Sequence, residues 1–286
     1  MDTYISFSFD NEFFNIKDTL SCGQVFRFRP FSKGYLVFSN DKCAYCYQTE
    51  NETIIECKAE DKDYFYSYFD LGRDYSLIYD FAKNSKYQIV QDASSLGKGI
   101  RILNQEKEET LFSFIISQNN NIPRIKGILE KLCANLGELK YFKGEPYYTF
   151  PTAEKMAKSS LDFFYSIGLG YRAPYIKKLA EDLADGLDLN TLNALTTPLL
   201  KKSLTTIYGV GPKVADCVTF FGYHRSDSFP VDTWIEKVYR ENFDCKLNGA
   251  EKISKWFVDD FKEYSGYIQQ YLFHYKRNLE NDKNNR

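Results

Sequence analysis

Histidine, tryptophan and methionine are each nearly absent from this chain of 286 residues, with two copies apiece. No apolar run approaches the roughly 20 residues that span a bilayer, so no transmembrane helix is expected. The opening segment MDTYISFSFD has neither the basic region nor the apolar region of a secretory leader, which makes the cytoplasm the expected compartment. A dense disulfide framework is missing too. The seven cysteines, at 22, 43, 46, 57, 133, 217 and 245, are an odd number suited to a reducing environment. Cys43 and Cys46 form a C-x-x-C, but no second such pair follows, and His224 and His274 are the only histidines. A structural zinc site usually needs four ligands, so the pair reads as two residues of a strand and no metal is expected.

Charge of one sign is also lacking, because the formal net charge is −2. Residues 1–110 carry 13 Lys and Arg against 18 Asp and Glu, leaving 24 against 21 for residues 111–286. Duplex affinity depends on locally placed phosphate contacts rather than on the whole-chain balance, so this asymmetry permits DNA binding without predicting it. What is abundant is aromatic: 24 Phe and 23 Tyr in a chain that is 43% hydrophobic and 27% charged exclude a disordered protein. At roughly 150 residues per domain, the length suggests two domains.

The first sixty residues read as antiparallel strands: Tyr4 to Phe9, Val25 to Phe28, Tyr35 to Phe38 and Thr53 to Cys57 alternate with turn signals at Gly23, Lys33-Gly34 and Asn40-Asp41. Helical candidates follow at 60–69 and 74–82. From about residue 106 the apolar period is helical: Ile122, Ile125, Leu129, Leu132, Cys133 and Leu136 share one face, and Val214, Cys217, Val218 and Phe221 another. The expected class is α+β, with a β-rich domain over 1–105 and an all-helical domain over 106–286 that ends in a frayed tail, Asn281 to Arg286. There is no repeat of solenoid period.

The chemistry concentrates around Lys213. A helix ending near Thr206 meets Gly209-Val-Gly211, and Pro212 suits the first position of a new helix, so residues 198–222 form a helix-hairpin-helix. Amides exposed at that helix start can hold a DNA phosphate, though an ordinary corner between helices uses the same glycines. Lys213 falls in the first turn, at the positive end of the helix dipole, where a cation is poorly placed for stability. An amine attacks carbon only when neutral, so the placement suits a Schiff-base nucleophile as well as a phosphate ligand. Nineteen residues on, Asp232 follows Phe229-Pro230-Val231 at a helix N-cap. It either caps that helix or also stabilises positive charge on a sugar as a glycosidic bond breaks.

This string, Gly-Val-Gly-Pro-Lys-Val-Ala-Asp-Cys followed by Val231-Asp232, resembles that of the 8-oxoguanine DNA glycosylases, a branch of the helix-hairpin-helix superfamily. Three further segments match in order: Cys22-Gly23-Gln24-Val-Phe26-Arg27 the family's pocket segment, Ser117-Gln-Asn119-Asn-Asn-Ile-Pro-Arg124 its Asn-rich loop, and Gly168-Leu-Gly170-Tyr171-Arg172 its wedge. The resemblance implies Lys213 as nucleophile and Asp232 as catalytic carboxylate. It implies that Asn119, Arg124 and Arg172 replace the flipped nucleotide and read the orphaned cytosine, with Tyr171 as the wedge. It gives the Gly23 carbonyl as acceptor for the N7 proton of 8-oxoguanine, Cys217 and Phe273 as the sandwich around the base, Gln269 as reader of its pairing edge, and Gly209 and Gly211 as phosphate binders. Cys217 lies four residues from Lys213 and Gln269 four from Phe273, so each pair shares a helix face.

The implied protein is a monomeric glycosylase and AP lyase without metal or organic cofactor. It acts on double-stranded DNA with 8-oxoguanine opposite cytosine, in the nucleoid or the nucleus. Two positions depart from the family: Trp234 stands where a histidine is common, and Pro123 stiffens the loop beside Arg124. The alternatives are an endonuclease III-type enzyme, which usually carries a four-cysteine iron–sulfur loop where this chain has only Cys245 after residue 217, an alkyl-base or other helix-hairpin-helix glycosylase, which shares the fold but lacks the lysine, and a non-catalytic hairpin module, which leaves Lys213 with Asp232 unexplained.

Overall fold

A computed structural model of the chain describes residues 3–243 and 246–284, so Cys245 lies outside the described residues. Strands β1 (Tyr4–Asp10), β2 (Phe28–Phe31), β3 (Gly34–Ser39), β4 (Lys42–Gln48) and β5 (Glu52–Lys58) form one antiparallel sheet in the order β1-β5-β4-β3-β2. The turn Asn40-Asp41 joins β3 to β4 as its sequence suggests, with Asn40 at φ 51°. Alternation sends Val37, Ala44, Cys46, Ile55 and Cys57 to one face and Leu36, Cys43 and Tyr45 to the other. Cys43 and Cys46, three apart in a strand, therefore face opposite ways and share no ligand. Burial pushes both thiols above their ordinary range.

Helices α1 (Ile16–Ser21) and α2 (Lys62–Tyr68) close the first face through Leu20, Phe65 and Tyr68. The second face is closed from the other half of the chain, where strands β6 (Leu139–Phe142) and β7 (Glu145–Tyr148) form a hairpin that lays Phe142 and Tyr147 on Leu36, Cys43 and Tyr45. The expected all-helical second half is corrected here. The hairpin turns on Lys143-Gly144, both at positive φ (50° and 87°), the kind of two-residue turn that matches strand twist. Arg27 ties the units together: it pairs with the buried Glu109 at 3.0 Å and donates to the Tyr148 carbonyl at 2.7 Å.

The expected strand over 25–28 is also corrected, since only Phe28 lies in β2. Val25 is buried in the sheet core and Phe26 in the helical core, so their alternation records insertion between two cores rather than strand pairing. The helical part comprises α3 (Tyr75–Lys83), α4 (Gln88–Gly97), α5 (Lys107–Ser117), α6 (Ile122–Leu136), α7 (Ala153–Lys158), α8 (Leu161–Ser166), α9 (Ala173–Ala184), α10 (Thr197–Leu204), α11 (Pro212–Phe221), α12 (Thr233–Asn242), α13 (Ala250–Phe261) and α14 (Ser265–Asn284). Among the described residues no helix is long and apolar enough to cross a membrane.

The candidates at 60–69 and 74–82 correspond to α2 and α3, whereas α4 was not expected. Helix α4 meets α14 closely: a Cβ on Gly97 would lie 2.6 Å from the Tyr271 ring. The helical core draws on Ile78, Val90, Ala93, Ile100 and Ile102, all ahead of residue 106. Helix α14 runs through to Asn284, so the tail expected to fray from 281 stays helical, with residues 285 and 286 outside the described ones. Lys237 pairs with Glu280 at 2.7 Å and pins α14 just before it.

Candidate active site

The hairpin forms as its glycines dictate. Gly209 sits at φ 85°, and a Cβ there would fall 2.4 Å from the Tyr175 ring, so no other residue fits without displacing α9. Gly211 is the N-cap of α11, contributes no capping side chain and has nothing within 4 Å of its ideal Cβ position. The first turn of α11 thus has no side-chain cap for its amides. Lys213 follows in that turn, half-buried, its ammonium 5.5 Å from the centre of the Phe114 ring. Phe114 itself stacks on Phe221, which fixes α5 against α11.

Asp232 caps α12, its Oδ1 accepting the Ile235 amide at 2.9 Å. Burial pushes this carboxyl above its ordinary value, opposed by the Ile235 amide and by the charge of Lys213. Capping and proximity to Lys213 therefore coexist in one side chain. Cys217, one turn along from Lys213, is fully buried and its thiol is pushed up to about 11 by that burial, against the pull of Lys213. It is a neutral, polarisable surface rather than a nucleophile.

Lys213, Asp232, Cys217, Gly23, Gln269 and Phe273, six residues singled out from the sequence, line one small cavity of about 50 Å³. Water occupies roughly 30 Å³ and a benzene-sized guest roughly 150 Å³, so the slot is closed to a base as it stands. Its lid is Phe273: a Cβ on Gly23 would sit 3.0 Å from the Phe273 Cε1. One buried polar group in this cavity waits for a partner. Gln269 Oε1 is buried without a hydrogen bond. Around Gly23, which turns at φ 90°, Arg277 donates to the Ser21 carbonyl at 2.8 Å, Gln270 to that of Cys22 at 2.7 Å and Gln105 to that of Gln24 at 2.8 Å. Among the described residues the Gly23 carbonyl alone of these four takes no donor. Buried polar groups are normally satisfied, so the orphaned Gln269 Oε1 in the cavity marks a place for a donor-bearing guest.

Asn119, Arg124, Tyr171 and Arg172 form a second group. Asn119 holds φ 45° in the loop between α5 and α6. Arg124 is exposed and touches the Gly168 carbonyl at 3.3 Å, and Tyr171 is half-exposed. Arg172 differs from its expected role. It is only 3% exposed, and its guanidinium donates to the carbonyls of Gln118, Asn119 and Leu169 instead of projecting outward. In this conformation it builds the loop rather than offering a free edge to a base. The cavity also uses Cys22, which opens the quoted pocket segment, and Phe114 and Gln270, which were not singled out. Gln270 had a signal, because Gln269-Gln270 is a polar doublet inside an apolar stretch of α14 and both are buried.

Residues 6–111 match the family described as 8-oxoguanine DNA glycosylase, N-terminal domain, and residues 112–259 match the HhH-GPD superfamily of base excision DNA repair proteins. The chain is 29% identical over 229 residues to a protein of Methanothermobacter thermautotrophicus named "Probable N-glycosylase/DNA lyase", a match covering 73% of this chain and 72% of that one. The fold is similar to that of MBOgg1 in complex with a low-affinity DNA ligand, with a TM-score of 0.92, 35% identity, and 98% and 97% of the two chains covered. It is also similar to the Clostridium acetobutylicum 8-oxoguanine glycosylase/lyase in complex with double-stranded DNA containing cytosine opposite 8-oxoguanine, with a TM-score of 0.90, 32% identity, and 98% and 100% covered.

Proposed function

The chain belongs to the 8-oxoguanine DNA glycosylases of the helix-hairpin-helix base-excision superfamily, and on that premise we propose that it flips 8-oxoguanine from duplex DNA, releases it through Lys213 and then nicks the strand. A base inside the stack hides both its sugar carbon and its edges, so extrusion comes first. The amides at the start of α11 hold a backbone phosphate and set the sugar beside Lys213. The base enters as Phe273 swings off Gly23, and lies between Phe273 and the Cys217 thiol.

The observation that carries this reading is the orphaned Gln269 Oε1 in the cavity that Lys213, Asp232 and Gly23 also line. 8-Oxoguanine has an N7–H where guanine has a lone pair, and a fixed carbonyl accepts the first and repels the second. Gln269 takes the donors of the pairing edge. The Lys213 nitrogen bonds to C1′ as the C1′–N9 bond breaks and its electron pair leaves with the base. Asp232 stabilises the positive charge on the sugar meanwhile. The amine loses its proton, the sugar ring opens to the Schiff base, and removal of a C2′ proton expels the 3′ phosphate by β-elimination.

Asn119, Arg124 and Tyr171 are proposed to fill and wedge the gap left in the duplex, with Arg172 reading cytosine once its side chain has left the loop carbonyls. We propose a monomer that works wherever the cell keeps its DNA. The test is a set of duplexes carrying 8-oxoguanine, guanine or an alkylated purine, each opposite all four bases, scored for base release, strand cleavage and borohydride trapping. Lys213→Gln retains lesion binding and forms no trapped adduct. Trapping by that variant, or equal release of guanine and 8-oxoguanine by the wild type, overturns the reading.

A further inference from the structure

Gln118, which ends α5, is where three segments meet. Its side-chain amide donates to the Gly209 carbonyl of the hairpin at 2.9 Å. Its own carbonyl accepts from the Tyr171 hydroxyl at 3.2 Å and from Arg172 Nε at 2.8 Å, and Arg172 Nη2 closes a second contact on the same oxygen. The same Nη2 holds the Asn119 carbonyl at 2.9 Å, one residue along. Asn119 has a positive φ, which a β-carbon disfavours and which persists only where neighbouring bonds hold it. Among the hydrogen bonds of the described residues, that from Gln118 to Gly209 is the one joining the loop of Asn119 to the hairpin of Lys213.

The hairpin has other supports. Tyr175 packs under Gly209, and its ring sits edge-on to both Tyr171 and Tyr208. The loop lacks such packing, since Asn119, Asn121, Pro123 and Arg124 are all exposed. Losing the Gln118 amide therefore leaves the hairpin in place and lets the loop drift relative to it.

Resting on the function proposed above, we propose that Gln118 is a positioning residue for lesion recognition. It holds the loop that tests the opposite base in register with the hairpin that presents the nucleophile, so that both act on the same base pair. It touches neither the base nor the sugar.

The test uses the full chain with Gln118→Met, which keeps the length and loses the donor, and Gln118→Glu, which keeps the shape and puts an acceptor against the Gly209 carbonyl. Single-turnover excision of 8-oxoguanine opposite cytosine and opposite adenine gives a ratio internal to each variant. Both variants are expected to lower that ratio by about three- to tenfold, the worth of one net hydrogen bond. Cleavage at a preformed abasic site, where no base is flipped, changes far less. An unchanged ratio overturns the proposal, and so does an equal loss opposite both bases, which is what a merely structural residue gives. A wild-type ratio of one is a different failure: it removes the opposite-base reading itself, and this proposal with it.

Discussion

Gly23→Ala separates base recognition from the rest of the chemistry. At φ 90° an alanine suffers the steric penalty of the left-handed region, about 1 to 2 kcal/mol. Lower entropy of the unfolded chain returns about 0.4 to 1 kcal/mol, so the net loss of stability is about 1 kcal/mol. At about 2 to 4 °C per kcal/mol, the melting temperature falls by only a few degrees. The larger effect is local. The new methyl stands 3.0 Å from Phe273 Cε1, in the slot a base has to enter. Overfilling a packed site costs about 1 to 3 kcal/mol, so single-turnover release of 8-oxoguanine falls roughly 5- to 150-fold. Strand cleavage at a preformed abasic site, which leaves the slot empty, keeps nearly its wild-type rate. The reasoning is refuted if excision proceeds at the wild-type rate, or if excision and abasic-site cleavage fall together.

Asp232 has a folded pKa above the ordinary carboxylate value, so the rate of base release rises with pH through a point above that value as the carboxylate forms. Asp232→Asn abolishes this limb in a pH–rate profile. The sign for stability is opposite, because a raised acid favours folding only while protonated; its contribution is full below the unfolded value and lost as pH rises through the folded one. At neutral pH Asp232→Asn therefore melts at or above the wild type while its rate falls, and a marked drop in melting temperature counts against the assignment. Phe273→Ala removes a stacking partner worth about 1 to 3 kcal/mol and slows excision accordingly, with no change in trapping at abasic DNA. Arg172→Ala strips donors from the carbonyls of Gln118, Asn119 and Leu169, so it lowers stability by about 2 kcal/mol and also flattens the preference for cytosine. Unchanged melting would mean that those hydrogen bonds are not worth what their burial implies.

The residues proposed to bear the chemistry were legible as a group because their spacing is local. Lys213 and Cys217 share a helix turn, as do Gln269 and Phe273, and Asp232 declares itself as an N-cap; all of them reach one cavity with Gly23. What the sequence concealed is long-range. The strands at 139–148 carry a turn signal of the same kind as Lys33-Gly34, but they lie amid helical periods and serve a sheet a hundred residues away. Alternation at Val25 and Phe26 was real and pointed to two cores, not to pairing. Arg172 reads as a free basic side chain in any local window, and only the fold shows three carbonyls converging on it. Gln118 has no signal at all, since a polar residue beside an asparagine run looks like more of the same loop.

The bond from Gln270 to the Cys22 carbonyl spans 248 positions, and with it the slot proposed for recognition is made from segments far to either side of Lys213. Synthesis proceeds from one end, so if the proposed function holds, a nascent or prematurely terminated polypeptide can carry Lys213 and Asp232 without Gln269 and Phe273. A lyase lysine loose on undamaged DNA is a hazard, and here it is paired with discrimination only when α14 arrives. On the proposed function, helix α14 is thus the step at which the polypeptide becomes selective, and a truncation before residue 265 should be judged by what it cuts as well as by whether it folds.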